Sequence, residues 1–315
     1  MSKQTVLVLA GGLSHERDVS LRSGRRVAEA LRAVGRDVIE PDVDAGLIGS
    51  LREDPPGCVV PMLHGETGED GAIREVLQML GLPYVGTEPA ACRTAFDKPV
   101  AKSVVSRAGV LTPESVCLPH ETFRELGAAE VMAAIVEQLG LPVVVKPAKG
   151  GSALGCAVVH DMAELPAAMV GAFAYGDVAL VEQRIAGLEV AVPVLDGGEG
   201  PRALPAVAIH PDGELYDYTA RYTAGSTEFV VPAPLDDAVG AECARVALAA
   251  HEALGLRDLS RSDLIVDDVG RVWFLEVNVA PGLTETSLVP LSVQAAGLEL
   301  GAVVAGLVDA AIERG

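Results

Sequence analysis

Ser262–Val279 reads SDLIVDDVGRVWFLEVNV. Two apolar runs flank Asp267-Asp268-Val269-Gly270, the pattern of a β-hairpin. With Val266 facing Arg271 across the turn, Asp263 faces Phe274. Side chains alternate between the faces of a strand. Phe274, Glu276 and Asn278 therefore share a face, and Asp263 joins it diagonally from Glu276. Trp273, Leu275 and Val277 point the other way. Two carboxylates and a carboxamide thus converge on one side of an otherwise apolar hairpin. Either that side is solvated or it holds a cation, since unpaired buried carboxylates are costly. Arg261 beside it and Pro281-Gly282 just beyond favour a site. All-oxygen ligands suit Mg²⁺ or Mn²⁺ better than zinc.

Upstream, Val143–Gly155 reads VVVKPAKGGSALG. A strand ends in Lys146 and a loop of Gly, Ser and Ala follows. Small residues let backbone N–H groups approach a phosphate, and lysine supplies charge. The GxxxxGK[ST] loop is absent, so this is a phosphate cradle of another kind or a plain surface turn. GGLSHERDVSLRS (11–23) is a glycine loop after the first strand, without a GxGxxG fingerprint. There Glu16 could bind an ammonium, and Asp18 and Ser20 could cap a helix. HGETGEDG (64–71) reads as a turn with helix-capping acids, among them Glu69.

Around these motifs, the first ninety residues alternate strand and helix. Strands are expected at Thr5–Ala10, Asp37–Glu40 and Gly57–Leu63, which makes a parallel α/β sheet with ligands at the C-terminal strand ends. A second unit carries Lys98 and Lys102 on a helix, then the strand Pro142–Lys146 and the glycine loop. The third is richer in strands, at Leu188–Leu195 and Ala203–His210. Residues 211–231 read as a long loop able to act as a lid. The expected division is 1–94, 95–182 and 183–315.

The 315 residues are 50% hydrophobic and 22% charged, ample for a packed core. The net charge of −20 argues against a nucleic-acid or anionic-membrane partner. The five cysteines are widely spaced, odd in number and form no CxxC, which argues against a disulfide framework or zinc site. No apolar run approaches 18 residues, so a cytoplasmic protein is expected.

Taken in order, GGLSHERDVSLRSG (11–24), HGETGEDG (64–71), FDKPVAK (96–102), LPVVVKPAKGGSALG (141–155), RSDLIVDD (261–268) and FLEVNVAPGLTETSLVP (274–290) resemble the D-alanine–D-alanine ligase family of the ATP-grasp superfamily. The resemblance runs over essentially the whole chain. It implies a three-domain ATP-grasp architecture, α/β with an α+β C-terminal part and an N-terminal parallel-sheet domain. It also implies a homodimer and ATP-dependent joining of two D-alanines for peptidoglycan precursors, with two Mg²⁺ or Mn²⁺ ions. ATP phosphorylates one D-alanine carboxylate, and the amine of the second attacks the acyl phosphate.

By the same resemblance, Lys98 and Lys146 meet the nucleotide phosphates, Glu182 the adenine pocket and Glu189 the ribose. Asp263, Glu276 and Asn278 are the metal ligands. Arg261 and the Gly282 N–H stabilise the oxyanion. Glu16 holds the first D-alanine's ammonium, tied to Ser152 and Tyr222, with His64 near that pocket. Ser287 and Leu288 contact the second D-alanine. The chain departs from the family at Arg221, where lysine is usual, at Ala153, where serine is usual, and at Val279-Ala280, where polar residues are usual. Arg221 keeps the charge but not the geometry, which leaves open a ligase that takes a different second amino or hydroxy acid. A non-catalytic ATP-binding module is the reading from another class, and the retained lysines and metal triad speak against it.

Overall fold

The computed structural model describes residues 5–223 and 225–315, and of Tyr222 only the backbone. The first unit runs β1 (Val6–Leu9), α1 (Arg17–Ala33), β2 (Val38–Ile39), α2 (Leu47–Glu53) and β3 (Cys58–Pro61), in a parallel sheet of order β2–β1–β3. The alternation is as expected except for α2, a short helix anchored only by Leu47 and Leu51, too brief a periodic signal to read. After α3 (Glu66–Glu69) and α4 (Ala72–Met79), the helices α5 (Pro89–Phe96) and α6 (Lys98–Arg107) lead onward. Asp97 caps α6 by accepting from the Val100 N–H.

Next come β4 (Ser115–Pro119), α7 (His120–Leu126), α8 (Ala128–Leu139), β5 (Val143–Pro147), β6 (Ala157–Val159), α9 (Leu165–Phe173) and β7 (Val178–Gln183). Their sheet is antiparallel in the order β4–β7–β5–β6. Val143, Val145 and Val181 pack on its helical side. By alternation Val144, Lys146, Leu180 and Glu182 face the other way.

The last part holds β8 (Leu188–Asp196), β9 (Arg202–Ala203), β10 (Val207–Pro211), α10 (Tyr218–Tyr222), β11 (Thr227–Val230), α11 (Asp237–Ala253), β12 (Asp258–Val266), β13 (Val272–Asn278), α12 (Leu288–Ala295) and α13 (Leu300–Arg314). The sheet order is β11–β10–β8–β12–β13, with β9 beside β8. The expected strand 203–210 is broken at Leu204-Pro205-Ala206, where proline cannot donate to the ladder. Residues 211–231 are not one loop: they contain α10, and β11 pairs with β10. Helices α5, α6 and α11 pack on one face of this sheet. Val304 and Val308 of α13 return to cover the first sheet with Val8 and Leu31. Among the described residues no single helix is long and apolar enough to cross a membrane.

The β12–β13 hairpin forms, but its register corrects the expected one. Val266 pairs with Val272, and a bulge between Asp263 and Leu264 places Asp263 directly opposite Glu276. Leu275 is the extra residue. The parity therefore changes along β13. Val272, Phe274 and Val277 all face the core, while Leu275 and Glu276 line the cleft. Phe274 does not share a face with Glu276, and Val277 points with Phe274. Period-two counting carried straight across the bulge reverses these side chains.

Candidate active site

The cleft lies between the second and third sheets. Its larger cavity, about 400 Å³, is lined by Lys98, Lys146, Glu182, Glu189, Arg221, Asp263 and Glu276 among others. A smaller one, about 70 Å³, is lined by Glu16, His64, Ser152, Arg221, Arg261, Asn278, Gly282, Ser287 and Leu288. The cavities share Gly151, Tyr216 and Arg221 as a common wall. Every site residue expected from the sequence thus falls on one or the other except Tyr222, whose side chain lies outside the described residues.

In the larger cavity Glu182 and Glu276 each have a cationic partner. Glu182 is nearly inaccessible and accepts from two ammonium groups, Lys146 at Oε1 and Lys102 at Oε2. Burial pushes its carboxyl up, but the two lysines outweigh burial and hold it below its ordinary value. Lys98 donates to the Gly150 carbonyl (2.6 Å) and lies 3.4 Å from Glu276. Burial likewise pushes Glu276 up, and Lys98, Lys146, Arg221 and Arg261 bring it down to about 2. Glu189 is raised to about 7 by burial, with Asp263 and Glu276 adding to the effect.

Arg261 makes a bidentate pair with Asp263, both bonds 2.7 Å, and the Asn278 Nδ2–H donates to the same carboxylate at 3.3 Å. The bulge thus collects the oxygens of Asp263, Glu276 and Asn278 on the cleft side of one hairpin. This all-oxygen set, balanced by Arg261 and Lys98, fits a hard divalent cation.

The glycine loop is shaped by its backbone. Ser152 and Ala153 are both left-handed, φ 51° and 53°, a region costly for residues with a Cβ. That turn aims the Ser152 hydroxyl at Glu16, to whose Oε1 it donates. Glu16 itself starts α1, beside the positive end of the helix. Ser20, one candidate cap, is instead buried, accepting from the Gly11 N–H and donating to the Met62 carbonyl. His64 is buried with both ring nitrogens in use: Nδ1 donates to Ala280 O (2.9 Å) and Nε2 accepts from the Ser23 hydroxyl (3.3 Å). Burial lowers it to about 4, so it is a neutral strut for the Ala280–Leu283 loop. A Cβ on Gly282 would stand 3.0 Å from Ser287 Oγ, a tight approach that a larger residue could make only if the serine side chain shifted. Leu288 packs with Ala191 and Tyr216, an apolar surround suited to a methyl group.

Three participants escaped the sequence reading. Lys102 had a signal, one helical turn after Lys98. Tyr216 had none; Arg221 lies 4.2 Å over its ring and donates to its carbonyl. Glu69, read as a helix-capping acid, does accept from the Gly65 N–H (3.1 Å), but at the floor of the site. Burial, reinforced by Glu16, raises it to about 8. A carboxyl raised in the folded state contributes stability below its ordinary value of 4.5 and loses it as pH climbs towards 8. Glu69→Gln is therefore expected to melt increasingly above wild type as pH rises from about 5 to 8. A difference that stays constant with pH would contradict the raised carboxyl.

Lys146 on one sheet and Lys98 on helix α6, facing Asp263 and Glu276 on another sheet across a cleft closed by a glycine loop, define a ligase of the ATP-grasp class. Solved structures similar to the chain have this fold. They include the VanG D-Ala:D-Ser ligase from Enterococcus faecalis (TM-score 0.85, 27% identity, 98% of this chain and 99% of that one). Another is the D-alanine–D-alanine ligase from Bacillus anthracis complexed with ATP (TM-score 0.82, 27% identity, 100% and 98%). Residues 104–309 match the family model described as D-ala D-ala ligase C-terminus. The D-alanine–D-alanine ligase of Moorella thermoacetica is 38% identical over 98% of this chain and 99% of its own. That of Desulforudis audaxviator is 41% identical over 98% of each. The chain belongs to the D-alanine–D-alanine ligase family.

Proposed function

We propose that the larger cavity takes ATP, the smaller one takes D-alanine, and the protein joins two D-alanines into the dipeptide used in peptidoglycan precursors. The observation that carries this reading is the shared wall at Gly151, Tyr216 and Arg221. With both ligands bound as proposed, that wall would set the nucleotide's outermost phosphate next to the amino acid's carboxylate. A carboxylate oxygen of the first D-alanine attacks the γ-phosphorus and ADP leaves. The amine of the second attacks the acyl carbon, loses a proton, and inorganic phosphate departs as the peptide bond forms.

Phosphoryl transfer of this kind rests on positioning and charge neutralisation. Lys98 and Lys146 serve the phosphates, with Glu182 and Glu189 on the adenosine side. Glu16, oriented by Ser152, takes the first ammonium, and Tyr222 belongs to the same group by family resemblance. Arg261 and the Gly282 N–H meet the oxyanion of the tetrahedral intermediate. Ser287 and Leu288 border the second D-alanine, near His64. Asp263, Glu276 and Asn278 would hold Mg²⁺ or Mn²⁺, two ions by family resemblance, which when bound neutralise phosphate charge. The 211–231 segment covers the site as a lid. Its Glu214 is clasped by Arg184 (3.0 Å) and His160 (2.9 Å), which supports exclusion of water from the acyl phosphate.

The division at 1–94, 95–182 and 183–315 is part of this proposal, with α6 docked on the third unit. A cytoplasmic homodimer is the assembly the family resemblance supports. A second reading has the same chemistry with a different second acid. The packing of Arg221 on Tyr216 at the shared wall favours considering it, since this is where the usual lysine is replaced. ADP release and product mass distinguish the readings. D-alanine alone giving the dipeptide establishes the first. Turnover only with D-serine or a D-hydroxy acid added establishes the second. ATP binding without turnover leaves a non-catalytic module.

A further inference from the structure

Helix α6 sends two lysines to different walls. Lys98 goes to Gly150 and Glu276. Lys102, one turn later, lines neither cavity and turns to the second sheet, where its Nζ lies 2.5 Å from Glu182 Oε2. Lys146 Nζ lies 2.5 Å from the other oxygen, Oε1. The side chains of Lys102, Glu182 and Lys146 are 4%, 3% and 10% exposed, so water screens them poorly. One carboxylate between two ammonium groups leaves a net positive charge. Only Lys146 of the two faces the cleft, so that charge is presented there. Without Lys102, the Lys146–Glu182 pair would be neutral and its attraction for a polyphosphate largely lost.

We propose that Lys102 is a positioning residue for nucleotide binding: by neutralising Glu182 it leaves the charge of Lys146 free for the phosphates. The inference rests on the larger cavity being the ATP site.

The test is calorimetric titration of the full-length protein with ATP and with adenosine, in wild type, K102M, E182Q and the double variant. K102M is expected to weaken ATP about tenfold, within the range of coupled neighbours, and to leave adenosine within about twofold. In the E182Q background, the same substitution should no longer weaken ATP. KM for ATP should rise alongside, with that for D-alanine unchanged. E182Q alone, with a melting curve to establish that it folds, should raise the ratio of ATP to adenosine affinity; K102M keeps the Lys146–Glu182 pair and carries the test independently. Equal losses for ATP and adenosine, an undiminished K102M effect in the E182Q background, or an unchanged ratio in E182Q would reduce Lys102 to a structural residue. Wild-type protein that binds no ATP would instead overturn the nucleotide reading itself, and this proposal with it.

Discussion

Glu276→Gln is expected to leave the fold standing and to lower ATP-dependent turnover by about 10²–10³-fold, the loss typical when one preorganised electrostatic group is removed. Glu276 lies directly opposite Asp263 on the cleft side of the hairpin. The neighbouring residues Phe274 and Val277 hold the strand to the core from its other side. The substitution is isosteric, so those contacts persist. Its carboxyl, brought down to about 2 against the effect of burial by Lys98 and the other cations, is ionised at any working pH. The variant thus removes one full negative charge from the proposed metal set and leaves Lys98 without its 3.4 Å partner. Turnover measured across a Mg²⁺ titration, with a melting curve as control, decides the matter. A near-wild-type rate at low Mg²⁺ would refute the metal assignment.

Arg261→Lys carries the second large effect. Arg261 is buried and spends one edge of its guanidinium on both oxygens of Asp263. The group is planar, so the rest can face the smaller cavity that it lines. Lysine retains the charge but has no fork: it can satisfy Asp263 or an oxyanion, and not both in the same geometry. A kcat about 10²-fold lower is expected, with a small change in melting temperature. Arg261→Ala, by contrast, strands Asp263 as a buried charge and should cost about 3–5 kcal/mol of stability. If the lysine variant retains wild-type kcat, the oxyanion role of Arg261 is wrong. If the alanine variant melts like wild type, the buried pair contributes nothing.

Much of the site was legible because its motifs are local. The lysine at the end of a strand, the glycine loop after it and the hairpin with alternating acids are patterns of a few residues. Their chemistry follows from composition and spacing. The parallel first sheet followed from alternating strand and helix patterns for the same reason. Elements with weak local signals were missed, such as Leu47–Glu53, with two anchoring leucines, and Ser115–Pro119, an edge strand with no fully buried side chain.

By itself the sequence determined the family and the order of the motifs that line the cleft: lysines, arginines, carboxylates and a glycine loop. Only the tertiary structure decided how they meet. The bulge at Leu275 turns Glu276 and Asn278 towards the cleft while Phe274 and Val277 enter the core. Packing of helix α6 brings Lys102 to Glu182, eighty positions away. Folding of the C-terminal loop onto the first unit gives His64 Nδ1 its Ala280 carbonyl, while Ser23 of α1 serves Nε2. The physical reason is common to all three. Strand parity and helical spacing are set by neighbours along the chain. Register shifts, buried ion pairs and tautomers depend on groups that only close packing brings together, where burial makes each unmatched charge or donor costly.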